Sequence, residues 1–177
     1  MSNQLWKRVK ELTITQFLRI NKDALLKVTG SDGTVSSITA DEFSSLDAAF
    51  RAETVITTKT LTAADSGKTL YLDLAGGFTT TLPAPAAGLK YKFVVKTAPT
   101  TAYILVTNGS ANIMIGGINE LEVDTADDGP YIANGDTLNF VASTAVVGDY
   151  VDMESDGTSW YFHGQAKADG GISLAST

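Results

Sequence analysis

Side-chain catalysis needs a group that gains and loses a proton near neutral pH, and the chain holds one histidine, His163. It stands in the alternating run SWYFHG, which reads as a strand, so it is read as a surface imidazole on a sheet. A serine nucleophile would be expected on a Gly-x-Ser-x-Gly elbow, and the sequence has none. Ser66-Gly67-Lys68-Thr69 has the ending of a phosphate-binding loop, where backbone N–H groups and a lysine cradle phosphate oxygens. The full motif needs glycine where Thr62 stands and a helix afterwards, whereas LYLDL reads as a strand. The segment is therefore expected to be a turn, with Gly67 supplying the backbone freedom.

Carboxylates offer hard-cation chemistry. Asp124, Asp127 and Asp128 cluster beside Gly129, but not at the spacing of an EF-hand loop, and read as a solvated acidic turn. Glu120 and Glu122 alternate onto one face, which suits solubility and edge protection more than hydrolysis. With no cysteine and one histidine, no zinc or copper site is expected. Neither catalytic residues nor a cofactor are assigned, and the protein is not expected to be an enzyme.

Trp6 is harder to place in a core. Leu5, Trp6 and Val9 lie among Lys7, Arg8 and Lys10, a basic N-terminus with no acid in its first ten residues. Such a segment fits an arm that orders on binding another protein.

The remaining chain must position these groups. Its 177 residues suit one domain with an appendage. Hydrophobic residues make up 44% and charged residues 19%, an ordinary balance for a folded domain. The net charge of −7 is uneven: residues 1–60 carry 8 basic and 7 acidic side chains, residues 61–177 carry 5 and 13. An acidic domain repels phosphate backbones, so nucleic acid is not an expected partner. No apolar run reaches the ~20 residues of a membrane helix, and MSNQLWKRVKELTITQF lacks a secretory h-region. A protein made in the cytoplasm, with no membrane partner, is expected.

The organisation reads in three parts: residues 1–52 as an N-terminal arm, 53–165 as a β-sandwich and 166–177 as a flexible tail. In the arm, ITQFLRI and LLKVTGSDGTV read as short strands, with Asp32-Gly33 as a hairpin turn. A helix is expected over about 40–51, with Thr39 and Glu42 at capping-box spacing and Ile38 and Phe43 as a hydrophobic staple. Beyond Thr54, short alternating runs separated by turn signals predict an all-β, antiparallel sandwich. Tyr91, Phe93 and Val95 alternate with Lys90, Lys92 and Lys96; Leu70, Leu72 and Leu74 form a second set, Leu138 and Phe140 a third. ELEVD, with Leu121 and Val123, reads as another strand. Asn108-Gly109 and Asn134-Gly135 mark turns, and Pro83 and Pro85 should end a strand. A two-residue Asp156-Gly157 turn predicts Met153 opposite Trp160 and Val151 opposite Phe162 on the core side, with Asp152 opposite Tyr161 and Tyr150 opposite His163 outside.

These segments carry a resemblance. TLTAADSGKTLYLDLAGGFTTTLPAPAAGLKYKFVV, the closing ESDGTSWYFHG and, more weakly, QFLRINKDALLKV are similar to segments of bacteriophage capsid decoration (cement), head-fibre and tail-fibre β-modules. The resemblance covers roughly residues 54–165 and, weakly, 14–40. It implies a jelly-roll-like sandwich that assembles as a homotrimer on the capsid exterior of a virion, clamps the major capsid protein and reaches neighbours with an N-terminal arm. Trp6, Lys7, Arg8, Lys10, Phe17 and Arg19 are the residues expected at that capsid contact. The alternative is a tail-fibre or baseplate receptor-binding module. The family supplies no catalytic residues.

Overall fold

A computed structural model describes residues 25–29, 35–39, 51–122 and 131–176. The chain divides into two units, Met1–Ala48 and Ala49–Thr177. In the first, β1 (Leu25–Thr29) and β2 (Val35–Thr39) pair antiparallel, with Leu25 opposite Thr39. The expected Asp32-Gly33 turn, the ITQFLRI strand, residues 40–50 of the helix expected over about 40–51, and the capsid-contact residues Trp6, Lys7, Arg8, Lys10, Phe17 and Arg19 lie outside the described residues.

The second unit is built from two sheets around one core. Its first half winds between them. β3 (Ala52–Val55), β5 (Thr69–Leu72) and β7 (Lys90–Val95) lie side by side and parallel in one sheet. β4 (Lys59–Thr60), β6 (Phe78–Thr81) and β8 (Tyr103–Val106) do the same in the other. Parallel neighbours need a crossover between them. Here a strand of the opposite sheet supplies it, so each circuit of the chain adds one strand to each layer.

The second half returns antiparallel. β9 (Met114–Glu120) forms a hairpin with β10 (Tyr131–Gly135), β11 (Thr137–Phe140) pairs with β8, and β12 (Tyr150–Ser155) pairs with β7. β13 (Trp160–Ala166) lies antiparallel to β12 and parallel to β9, and β14 (Ile172–Ala175) closes against β11. The orders are β10-β9-β13-β12-β7-β5-β3 and β14-β11-β8-β6-β4. The all-β expectation holds, but the sheets are mixed and not antiparallel: five of the ten pairings in this unit are parallel.

Alternation explains the core. Leu70, Leu72, Tyr91, Phe93, Val95, Val151, Met153, Trp160 and Phe162 from the seven-stranded sheet join Phe78, Tyr103, Leu105, Leu138, Phe140 and Ile172 from the five-stranded sheet in one buried cluster. Burying each large apolar side chain contributes about 1.5–3 kcal/mol. The Tyr103 hydroxyl ties the layers together: it donates to the Thr97 carbonyl at 2.8 Å and accepts from the Leu74 N–H at 2.9 Å. β9 approaches β13 closely at Gly116, where a Cβ would stand 1.9 Å from the Phe162 carbonyl oxygen, so the contact requires glycine.

Several local expectations change. Leu74 lies past the end of β5 and is exposed; of ELEVD, Glu120 ends β9 and Leu121 is exposed beyond it, while Val123 and Asp124 lie outside the described residues. Residues 166–177, expected as a tail, contain β14, whose Ile172 is fully buried. The alternation Ile172-Ser173-Leu174 gives this short segment an apolar side, and β11 offers a free edge to receive it.

The final hairpin is shifted by two residues. Ser155 faces Trp160, Met153 faces Phe162, Asp152 faces His163 and Tyr150 faces Gln165. The loop holds four residues, 156–159, because the Asp156 carboxylate accepts the N–H groups of Thr158 and Ser159, each at 2.8 Å. That side-chain cap replaces the tight turn. A slip of two leaves every side chain on its expected face, since the strand period is two.

Candidate binding face

The outer face of the seven-stranded sheet gathers the polar residues of β5, β7, β12 and β13. Register sets Lys90 beside Glu154 and Lys92 beside Asp152, and then places Tyr161 beside Glu154 and His163 beside Asp152. Both lysines form ion pairs along these rows, Lys90 Nζ to Glu154 Oε1 at 3.1 Å and Lys92 Nζ to Asp152 Oδ2 at 3.0 Å. Lys92 Nζ also lies 4.2 Å from the centre of the Tyr150 ring, which is 6.4 Å from the His163 ring between centroids, the two inclined at 64°. These exposed pairs contribute little to stability individually. What they produce is a fixed lattice of donors beside acceptors, held by strands.

A shallow hollow of about 440 Å³ opens on this face, between the start of β5, β7 and the hairpin of β12 and β13. It is lined by Lys68, Lys90, Lys92, Asp152, Glu154, Tyr161 and His163, among others. Tyr161 is 47% exposed. The Asp156 carboxylate raises the Tyr161 phenol above its ordinary range by its charge and by accepting its hydrogen bond. The same bond lowers Asp156, after the larger effects of the Ser159 and Thr158 N–H groups.

Ser66-Gly67-Lys68-Thr69 forms the turn expected of it, with Gly67 at φ +88° and β5 following. Lys68 is committed to structure. Its ammonium reaches Asp65 at 2.7 Å and Glu53 at 2.9 Å, and Lys59 pairs with the same two carboxylates. Burial would raise the Asp65 carboxyl, but the Lys68 ammonium, the Thr62 N–H and hydroxyl, and Lys59 overcome it and hold Asp65 at about 2. Burial also acts to raise Glu53, and the two lysines reverse it to a net lowering. Asp65 caps the 3₁₀ turn Ala63–Asp65 by accepting the Thr62 N–H and hydroxyl, each at 3.0 Å.

The other candidates separate. His163 is exposed on the outer face beside Asp152, a carboxylate already bound to Lys92. Glu120 and Glu122 accept the N–H groups of Gly170 and Asp169 at 3.0 and 3.3 Å, fastening the turn before β14. Asp124, Asp127 and Asp128 lie outside the described residues, and among the described residues no group of acidic or histidine side chains is placed to hold a metal ion.

Sequence reasoning missed Asp149, a buried carboxylate that accepts the N–H groups of Val146 and Lys167, both at 2.9 Å. It also missed the pairing of Lys92 with Asp152, although alternating charge in KYKF and YVDME carried part of the signal. Comparison with known proteins finds no matching family model and no matching curated relative.

Proposed function

We propose that this chain is a non-enzymatic structural protein of a bacteriophage virion: a capsid decoration protein that binds the major capsid protein lattice from outside as a homotrimer. One observation carries the reading. The segments that resemble phage β-modules form the interlocked rungs β4 to β7 and the β12–β13 hairpin of a rigid two-layer body, and their most chemistry-like motif, Ser66-Gly67-Lys68-Thr69, is consumed in holding a turn. A rigid body that repeats on a lattice gains strength through avidity, so each contact can be weak. The antiparallel return strands are the part we read as jelly-roll-like; the parallel coil departs from that plan.

Residues 1–20, with Trp6, Lys7, Arg8, Lys10, Phe17 and Arg19, are assigned to the capsid contact. Removing them should abolish binding to undecorated capsids while the circular dichroism and trimer mass of the remainder stay unchanged. Normal decoration by the truncated protein would overturn the arm assignment. Purified virions should carry the chain on the order of hundreds of copies, as lattice avidity requires. A few copies at the tail would instead establish the receptor-binding reading, which the open outer-face hollow favours.

A further inference from the structure

We propose that the hollow on the outer face of the seven-stranded sheet is a binding site for a neutral glycan, with the Tyr161 ring as its stacking surface and the Lys90–Glu154 and Lys92–Asp152 pairs as its hydrogen-bonding floor. The inference rests on the chain acting as a binding protein and not on its place in the particle.

Charge decides the ligand class first. Each of the three lysines that line the hollow already has a carboxylate within hydrogen-bond distance: Lys90 with Glu154 at 3.1 Å, Lys92 with Asp152 at 3.0 Å, Lys68 with Asp65 at 2.7 Å. An anionic ligand would meet the repulsion of the carboxylate beside each ammonium, and a cationic one that of the ammonium beside each carboxylate. A neutral ligand meets neither repulsion and can use the ammonium donors and carboxylate acceptors that the pairs leave open.

Hydrogen bonding decides it further. A hydroxyl group donates one hydrogen bond and accepts two. An ammonium beside a carboxylate, repeated on adjacent rows of one sheet, presents alternating donors and acceptors that match neighbouring hydroxyls on a sugar ring, and bonds to charged partners are the stronger kind. The remaining requirement is an apolar platform for the C–H face of the ring. Tyr161 meets it: the ring is half-exposed among the residues that line the hollow and is carried on a paired strand, and a tyrosine has few rotatable bonds, so little side-chain freedom is lost on binding. The volume of about 440 Å³ lies in the range of small-ligand sites. The floor is built on paired strands, which hold such groups more accurately than loops. A site this open should bind at about 1 mM or somewhat tighter.

The test is a ¹⁵N–¹H NMR titration of the full chain with maltose, lactose and N,N′-diacetylchitobiose, backed by an array of neutral oligosaccharides and by sialyllactose as an anionic probe. At least one neutral sugar should shift the amides of residues 90–92 and 161–163 saturably. Tyr161→Ala should weaken that binding about tenfold, Tyr161→Phe should retain it, and Tyr71→Ala, on the same sheet face outside the hollow, should leave it unchanged. The proposal is overturned if no neutral sugar on the array binds, if only sialyllactose does, or if Tyr161→Ala binds as well as the native chain. Virion copy number reports on the capsid reading alone, so the two can fail separately.

Discussion

The two faces of the seven-stranded sheet use the same strands for opposite purposes. Along β7, Tyr91, Phe93 and Val95 point inward and are almost wholly buried, while Lys90 and Lys92 point outward, with side chains 61% and 40% exposed. The inner face gains free energy by removing apolar area from water. The outer face gains little, because solvent screens its ion pairs. The difference separates stability from recognition: substitutions inside should unfold the protein, and substitutions outside should change what it binds while leaving the fold intact.

Phe93→Ala tests that separation most severely. It leaves a void between the layers and should cost about 3–5 kcal/mol, read as a lower midpoint in urea or a lower Tm. A loss below about 1 kcal/mol would place the fold's main support elsewhere than in the core.

Asp65→Asn probes the partly shielded ionic cluster of Glu53, Lys59, Asp65 and Lys68. Its loss at neutral pH should be about 1–2 kcal/mol, as for a cap that also holds a charge pair. Asp65 titrates lower in the folded chain, at about 2, than its ordinary value of 3.8. Its contribution is therefore full above pH ~4 and disappears as pH falls towards 2. Thermal melts of native and variant protein should differ at pH 6 and converge near pH 2. A difference that stays constant down to pH 2 would remove the charge from the explanation.

Lys90→Ala should have the smallest effect, below about 1 kcal/mol, and smaller still in high salt. A larger loss in a urea melt would mean that the outer ladder supports the fold, and the division between faces would fail.

The alternation of β7, β11, β12 and β13 was legible in the chain because a strand's period of two writes inward and outward residues directly into the sequence. Period two could not distinguish the expected hairpin pairing from the observed one: both bury Met153 and Trp160, and the choice fell to the Asp156 cap over a four-residue loop. β14 was misread because one short polar segment looks like a tail until an edge such as β11 is there to receive it. Of the binding face, His163, Lys90 and Lys92 were visible as outward residues. Asp152 and Tyr161 were visible beside His163 on the outer side of the final hairpin, but their grouping with Lys90 and Lys92 was not, because residues some 60 positions apart meet only through register.

By itself, then, the sequence determined the β class, the inward and outward sides of its main strands, the turn at Gly67 and the absence of cysteine chemistry. All of these are local, encoded in residue type and short spacing. Tertiary structure alone decided that β3, β5 and β7 run parallel, that each crossover is a strand of the opposite sheet, and that lysines and carboxylates from separate strands line one hollow. The physical reason is that strand pairing satisfies backbone hydrogen bonds in either direction, so the partner is chosen by how the whole core packs and not by the strand that accepts it.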